Sequence, residues 1–101
     1  MASLTMNIPH ELSQQEALTR IKGMLQKLKE EQKDMITNMK EDWKGETGNF
    51  EFTAKGFDLS GIITVQPSSV DIDAKLPFAL SFFKGQIKQV IEGKAKELLS
   101  K

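Results

Sequence analysis

Between Asn49 and Leu76 apolar and polar residues alternate in three runs, Asn49–Lys55, Leu59–Gln66 and Val70–Leu76, separated by Gly56-Phe57-Asp58 and Pro67-Ser68-Ser69. Side chains of a strand alternate between two faces, so the pattern predicts three strands in an antiparallel meander. Phe50, Phe52 and Ala54 oppose Glu51, Thr53 and Lys55; Leu59, Gly61, Ile63 and Val65 oppose Ser60, Ile62 and Thr64; Val70, Ile72, Ala74 and Leu76 oppose Asp71, Asp73 and Lys75. One face is oily and one is wet, and the oily face must be buried beneath helices.

Ahead of the meander, Leu4, Met6 and Ile8 alternate with Ser3, Thr5 and Asn7, which reads as a first strand stopped by Pro9. In Leu12-Ser13-Gln14-Gln15-Glu16-Ala17, Ser13 is placed to cap a helix, Glu16 to complete the capping box and Leu12 to staple onto Ala17. Ala17, Leu18, Ile21, Met24, Leu25 and Leu28 then share a helical stripe. Met35, Ile36, Met39 and Trp43 stay in phase, but a helix of some 30 residues would reach ~45 Å, about twice the length of a seven-residue strand at roughly 3.3 Å per residue. The helix is therefore expected to end near Asp34–Ile36, with Asn38–Lys44 a second strand leading through a hairpin turn at Gly45-Glu46-Thr47-Gly48. Glu41 would share a face with Met39 and Trp43, which an edge position explains, because an unpaired carboxylate is costly to bury.

After Leu76, Pro77 breaks the sheet and a second helix follows. Its stripe is Leu80, Phe83, Ile87, Val90, Ile91 and Leu98, with Lys94 reaching outward along its stem. Phe82 falls about 150° from the centre of that stripe, which exposes a large aromatic. The expected fold is one α+β domain over residues 1–101: an antiparallel sheet of about five strands with two helices on one face, in the order β-α-β-β-β-β-α. Two helices of about 10 Å diameter almost cover five strands spaced about 4.8 Å apart, so little cavity is left. Gly61, between Leu59 and Ile63, is read as a point of close helix approach, with a small apolar pocket as the alternative.

Composition narrows the function classes. Lys plus Arg and Asp plus Glu number 14 each, which gives no net field to recruit nucleic acid. The absence of cysteine excludes disulfides and thiolate chemistry, and no signal sequence or run of about 18 apolar residues is visible, so a cytoplasmic, non-transmembrane protein is expected. His10 is the only histidine and reads as a turn residue near the helix start, since catalysis would need a nucleophile and an orienting acid that the sequence does not supply. With no second histidine and no EF-hand spacing, no metal site is expected, and Asp71 and Asp73 read as solvated carboxylates beside Lys75 or Lys55. Gly45-Glu46-Thr47-Gly48 lacks the lysine and strand-to-helix setting of a phosphate loop. No cofactor is expected, and no enzymatic activity.

Three stretches carry a family resemblance. They are His10-Glu11-Leu12-Ser13-Gln14-Gln15-Glu16-Ala17; Trp43-Lys44-Gly45 with Phe50-Glu51-Phe52 and Gly61-Ile62-Ile63-Thr64-Val65; and Leu76-Pro77 with Phe83-Lys84-Gly85-Gln86-Ile87. On these the chain resembles the polyhydroxyalkanoic acid system family, small bacterial proteins associated with storage-polyester gene regions and granules. It departs from that pattern between Leu28 and Trp43, by about one extra helical turn, and at Glu41, where an apolar residue is expected. The resemblance implies no catalytic residues. It suggests a non-enzymatic accessory protein that contacts a polyester granule, a lipid-like surface or an apolar partner through exposed apolar residues, for which Phe78, Phe82, Ile62 and Leu99 are the candidates. Two alternatives stand beside it: a helix-grip domain that holds a hydrophobic ligand around Trp43, Phe52, Gly61 and Phe83, and a homodimer formed through the same patch or an open sheet edge.

Overall fold

A computed structural model describes residues 2–54 and 56–100. Its elements are β1 (Ala2–Pro9), α1 (Gln14–Lys22), α2 (Met24–Glu31), β2 (Ile36–Lys44), β3 (Thr47–Ala54), β4 (Phe57–Val65), β5 (Ser69–Leu76), a 3₁₀ helix (Phe78–Phe83) and α3 (Lys84–Leu99). The five strands form one antiparallel sheet in the order β1-β5-β4-β3-β2, so the chain's first strand pairs with its last and β2 forms the opposite edge. The oily face read from the alternation is the buried one: Phe50, Phe52, Ala54, Leu59, Ile63, Val65, Val70, Ile72, Ala74 and Leu76 all lie in the core with Leu4, Met6 and Ile8 of β1. The expected strand at Asn49–Lys55 ends at Lys55, which lies outside the described residues.

The helix start follows the sequence, since Ser13 Oγ accepts from the Glu16 N–H at 3.1 Å. The single long helix does not form. Gly23 divides it into α1 and α2, with its N–H turned back to the carbonyls of Arg20 and Ile21. Glycine costs a helix interior up to about 1 kcal/mol relative to alanine, so it is the cheapest place for the chain to bend over the sheet. The second segment stops at Glu31, short of the expected Asp34–Ile36, because Ile36 is needed as the first residue of β2, buried opposite Ala54.

β2 carries a bulge between Thr37 and Lys40, where Asn38 takes a positive φ of 53°. The inserted residue reverses the strand's alternation, so that Ile36 before it and Glu41 and Trp43 after it all turn inward. Glu41 is exposed at the sheet edge as expected, and its carboxylate accepts from Trp43 Nε1 at 2.9 Å. The indole lies flat over Gly48, where an added Cβ would come within 2.7 Å of the ring. Gly48 is thus a packing glycine inside β3, and the hairpin turn itself is only Gly45-Glu46. Gly61 is likewise covered by a ring: its missing Cβ would meet Phe50 Cζ at 2.6 Å and the Asp73 carbonyl at 2.5 Å. Neither the close helix approach nor the apolar pocket read from sequence lies there; an aromatic of the neighbouring strand fills the space.

In α3 the buried positions are Ile87, Ile91, Ala95 and Leu99. Spaced by four on a helix of 3.6 residues per turn, they wind about 40° per step, so the contact stripe curves as the helix crosses the sheet. Val90 and Leu98 of the expected stripe are half-buried against the core, and Leu99 joins them at its end; it is 5% exposed and cannot serve as a surface contact. Lys94, rather than reaching out to solvent, pins α3 to α2, with Nζ 2.7 Å from Glu31 and 3.1 Å from Glu97. The hydrogen bonds to Glu31 and then Glu97 raise its pKa above the ordinary lysine value.

Candidate functional site

The strands begin and end at two ends of the sheet with different finishes. At the end where β1 leaves, His10 is buried, its Nε2 donating to the Gln66 carbonyl at 3.1 Å while Nδ1 accepts from the Leu12 N–H at 3.1 Å. These partners fix the neutral Nε2–H tautomer and tie the β1–α1 turn to the β4–β5 turn. Gln14 donates to the Val65 carbonyl, and Arg20 donates to the carbonyls of Leu98 and Ser100 at the C-terminus of α3, where a cation also complements the helix dipole. His10 therefore has a structural role, as its sequence setting predicts.

At the other end β5 runs out at Leu76, and Pro77 passes the chain into the 3₁₀ helix. Leu80 is fully buried and anchors that helix. With three residues per turn, the positions two before and two after the anchor are carried away from the core. Phe78 is accordingly 77% exposed and Phe82 93%. Phe83, expected in the buried stripe, is also partly exposed, because α3 begins only at Lys84 and its first core contact is Ile87.

Phe57 joins them. The sequence places it in a turn, but Ala54 pairs with Phe57, so the connection is one residue shorter than the expected Gly56-Phe57-Asp58 and Phe57 is the first residue of β4, with Gly56 at φ +84° in the turn. Because Ser60 pairs with Lys75, the same register carried past Leu76 sets Phe78 level with Phe57. Four of the five exposed large apolar side chains among the described residues, Phe57, Phe78, Phe82 and Phe83, thus belong to one end of the molecule. The signal for Phe57 was present in the sequence as Gly56, whose positive φ suits a tight hairpin turn.

The other candidates do not join this tip. Ile62, the fifth exposed side chain, lies on the polar outer face of the sheet, in an open groove of about 410 Å³ shared with Lys40, Asp42, Glu51, Asp73 and Lys75. The four residues of the supposed ligand pocket are dispersed: Phe52 borders a void of about 10 Å³ beneath Ile87 and Ile91, Gly61 borders the outer groove, and Trp43 and Phe83 border neither. A void of that size is about one water-sized sphere. Among the described residues no three His, Asp or Glu side chains are grouped to hold a metal, and no helix is long and apolar enough to cross a membrane. What the tip offers chemically is a set of aromatic rings on a short helix held by a buried leucine.

Comparison with known proteins agrees with the three stretches that carry the resemblance. The family model described as "putative polyhydroxyalkanoic acid system protein" matches residues 4–99. No curated protein and no solved structure matches the chain. The matched segment spans all five strands and the three α-helices, and the chain belongs to the polyhydroxyalkanoic acid system protein family.

Proposed function

We propose that the protein is a non-enzymatic, cytoplasmic accessory protein that attaches to the surface of storage-polyester granules through its aromatic tip. The observation that carries this reading is the exposure of Phe78 and Phe82 at the same end as Phe57 and Phe83, while the other large apolar residues among the described ones are, Ile62 apart, buried or packed against the core. Single exposed apolar residues are ordinary, whereas a group gathered at one place marks a contact surface. Burying one phenylalanine side chain in an apolar phase contributes roughly 2–3 kcal/mol, so two rings suffice for reversible adhesion. The family assignment supplies the polyester as the apolar phase with which to begin.

The test is cosedimentation of the purified protein with protein-free polyhydroxyalkanoate particles. Wild type is expected in the pellet, Phe82→Ser reduced and the Phe78→Ser/Phe82→Ser double variant in the supernatant, with unchanged circular dichroism. Equal pelleting of all three would remove the tip from the function. Dimerisation through the tip would instead appear as a concentration-dependent mass in sedimentation equilibrium, lost in the double variant.

A further inference from the structure

Around the tip the charges are not mixed as they are elsewhere. Between Asp73 and Glu92 the chain carries Lys75, Lys84 and Lys88 and no carboxylate, although its net charge is zero, so the remainder of the chain is net acidic. Lys84 and Lys88 stand one helical turn apart at the start of α3, directly after Phe82 and Phe83, and both are exposed. The carboxylates that the topology places toward this end are Glu30, which shares an open groove with Lys29, Lys33 and Ile36, Asp34, in the turn before β2, and Asp58, which follows Phe57 and accepts from Thr53 Oγ1 at 2.8 Å. Asp58 belongs to the polar sheet face, away from the 3₁₀ helix. Exposed aromatic rings followed at once by exposed lysines form the arrangement that suits an interface between water and an anionic lipid layer: rings sit at the level of the headgroups, and ammonium groups meet the phosphates.

We infer that the aromatic tip recognises anionic phospholipid headgroups, with Phe78 and Phe82 entering the interface and Lys84 and Lys88 supplying its charge selectivity. The inference rests on the tip as an adhesive surface and adds the chemistry of what it meets. A bare polyester surface would use the rings and leave the lysines without partners.

Each lysine near an anionic surface strengthens partitioning by about fivefold, so Lys84→Gln/Lys88→Gln is expected to weaken binding about 25-fold. The experiment is flotation with vesicles of neutral phosphatidylcholine, the same vesicles containing phosphatidylglycerol, and protein-free polyester particles. Four proteins are compared: wild type, Phe82→Ser, Lys84→Gln/Lys88→Gln and, as a charge-matched control on the β2 edge, Lys40→Gln/Lys44→Gln. Preference for the anionic vesicles that is lost in the α3 pair, kept in the control pair and weakened by added salt supports the inference. Equal loss in both lysine pairs overturns it in favour of bulk charge. Equal binding to neutral and anionic vesicles, or binding to polyester alone, overturns it while leaving the adhesive tip intact if Phe82→Ser still weakens binding. Failure to bind any of the three surfaces overturns both.

Discussion

The two ends of the sheet solve the same problem in opposite ways. Where β1, β4 and β5 meet the first helix, backbone groups that the sheet, the turn after β1 and the end of α3 leave unpaired are met by side chains: His10 serves a carbonyl and an N–H, Gln14 a carbonyl and Arg20 two more. Directional bonds of this kind fix one geometry and need a polar, enclosed setting. At the other end neither the 3₁₀ helix nor α3 has a side-chain cap; a proline stops the sheet, a leucine holds the turn down and phenylalanines face the solvent. The first end spends its residues on holding the fold. The second holds it with Leu80 and leaves over the aromatic surface that is proposed to adhere.

The strongest way to break that contrast is to attack the closed end. Replacing His10 with alanine removes a buried ring and both of its hydrogen bonds and is expected to destabilise the protein by about 2–3 kcal/mol in urea unfolding, without changing adhesion of the folded fraction. A loss below about 0.5 kcal/mol would mean that the polar network decorates the end rather than secures it. Gly85→Ala sharpens the contrast in the opposite direction. An added Cβ there meets nothing within 4 Å, and alanine in place of an exposed helical glycine should stabilise by about 0.5–1 kcal/mol. Should that variant melt earlier than wild type, α3 near the tip is packed against something beyond the fold itself. Phe78→Ser/Phe82→Ser comes next, with an expected change of no more than about 0.5 kcal/mol, because rings in water contribute little to folding. A larger loss would return the two rings to the core.

These outcomes also bear on what could be read from sequence. Alternation located the oily face almost completely, because period-two patterning depends only on which side of a strand a residue leaves. Ser13 was legible as a cap for the same local reason. The misreadings arose where tertiary geometry bends a local pattern. The stripe of helix-forming residues runs through Gly23 without interruption, yet the helix is divided there; the stripe of α3 curves, which buries Leu99 beside Leu98; the bulge at Asn38 reverses the parity of β2. At the tip, an α-helical angle already sets Phe82 apart from the buried stripe, although the turn there is 3₁₀ and not α, whereas Phe57 escapes because Gly56-Phe57-Asp58 reads as a turn. The core was legible from the spacing of residues, whereas the gathering of four phenylalanines depends on strand register, which only pairing reveals.

Lys94 belongs to neither end, and its effect should be the smallest. It holds α3 to α2 by pairing with Glu31, aided by Glu97, and these partners raise its pKa in the folded protein above the ordinary lysine value of 10.5. The folded state therefore keeps this proton more tightly than the unfolded chain does. The stabilisation is fully present below pH 10.5 and is lost as the pH rises through the folded value. Lys94→Met leaves the stem in place and removes the charge, so its unfolding midpoint should lie slightly below that of wild type at neutral pH and converge with it in alkali. Added salt should narrow the same gap at neutral pH, since both carboxylates are largely exposed. If the gap persists unchanged at high pH and in salt, the lysine contributes through the packing of its stem, and the joint between the helices is apolar, like the core beneath it.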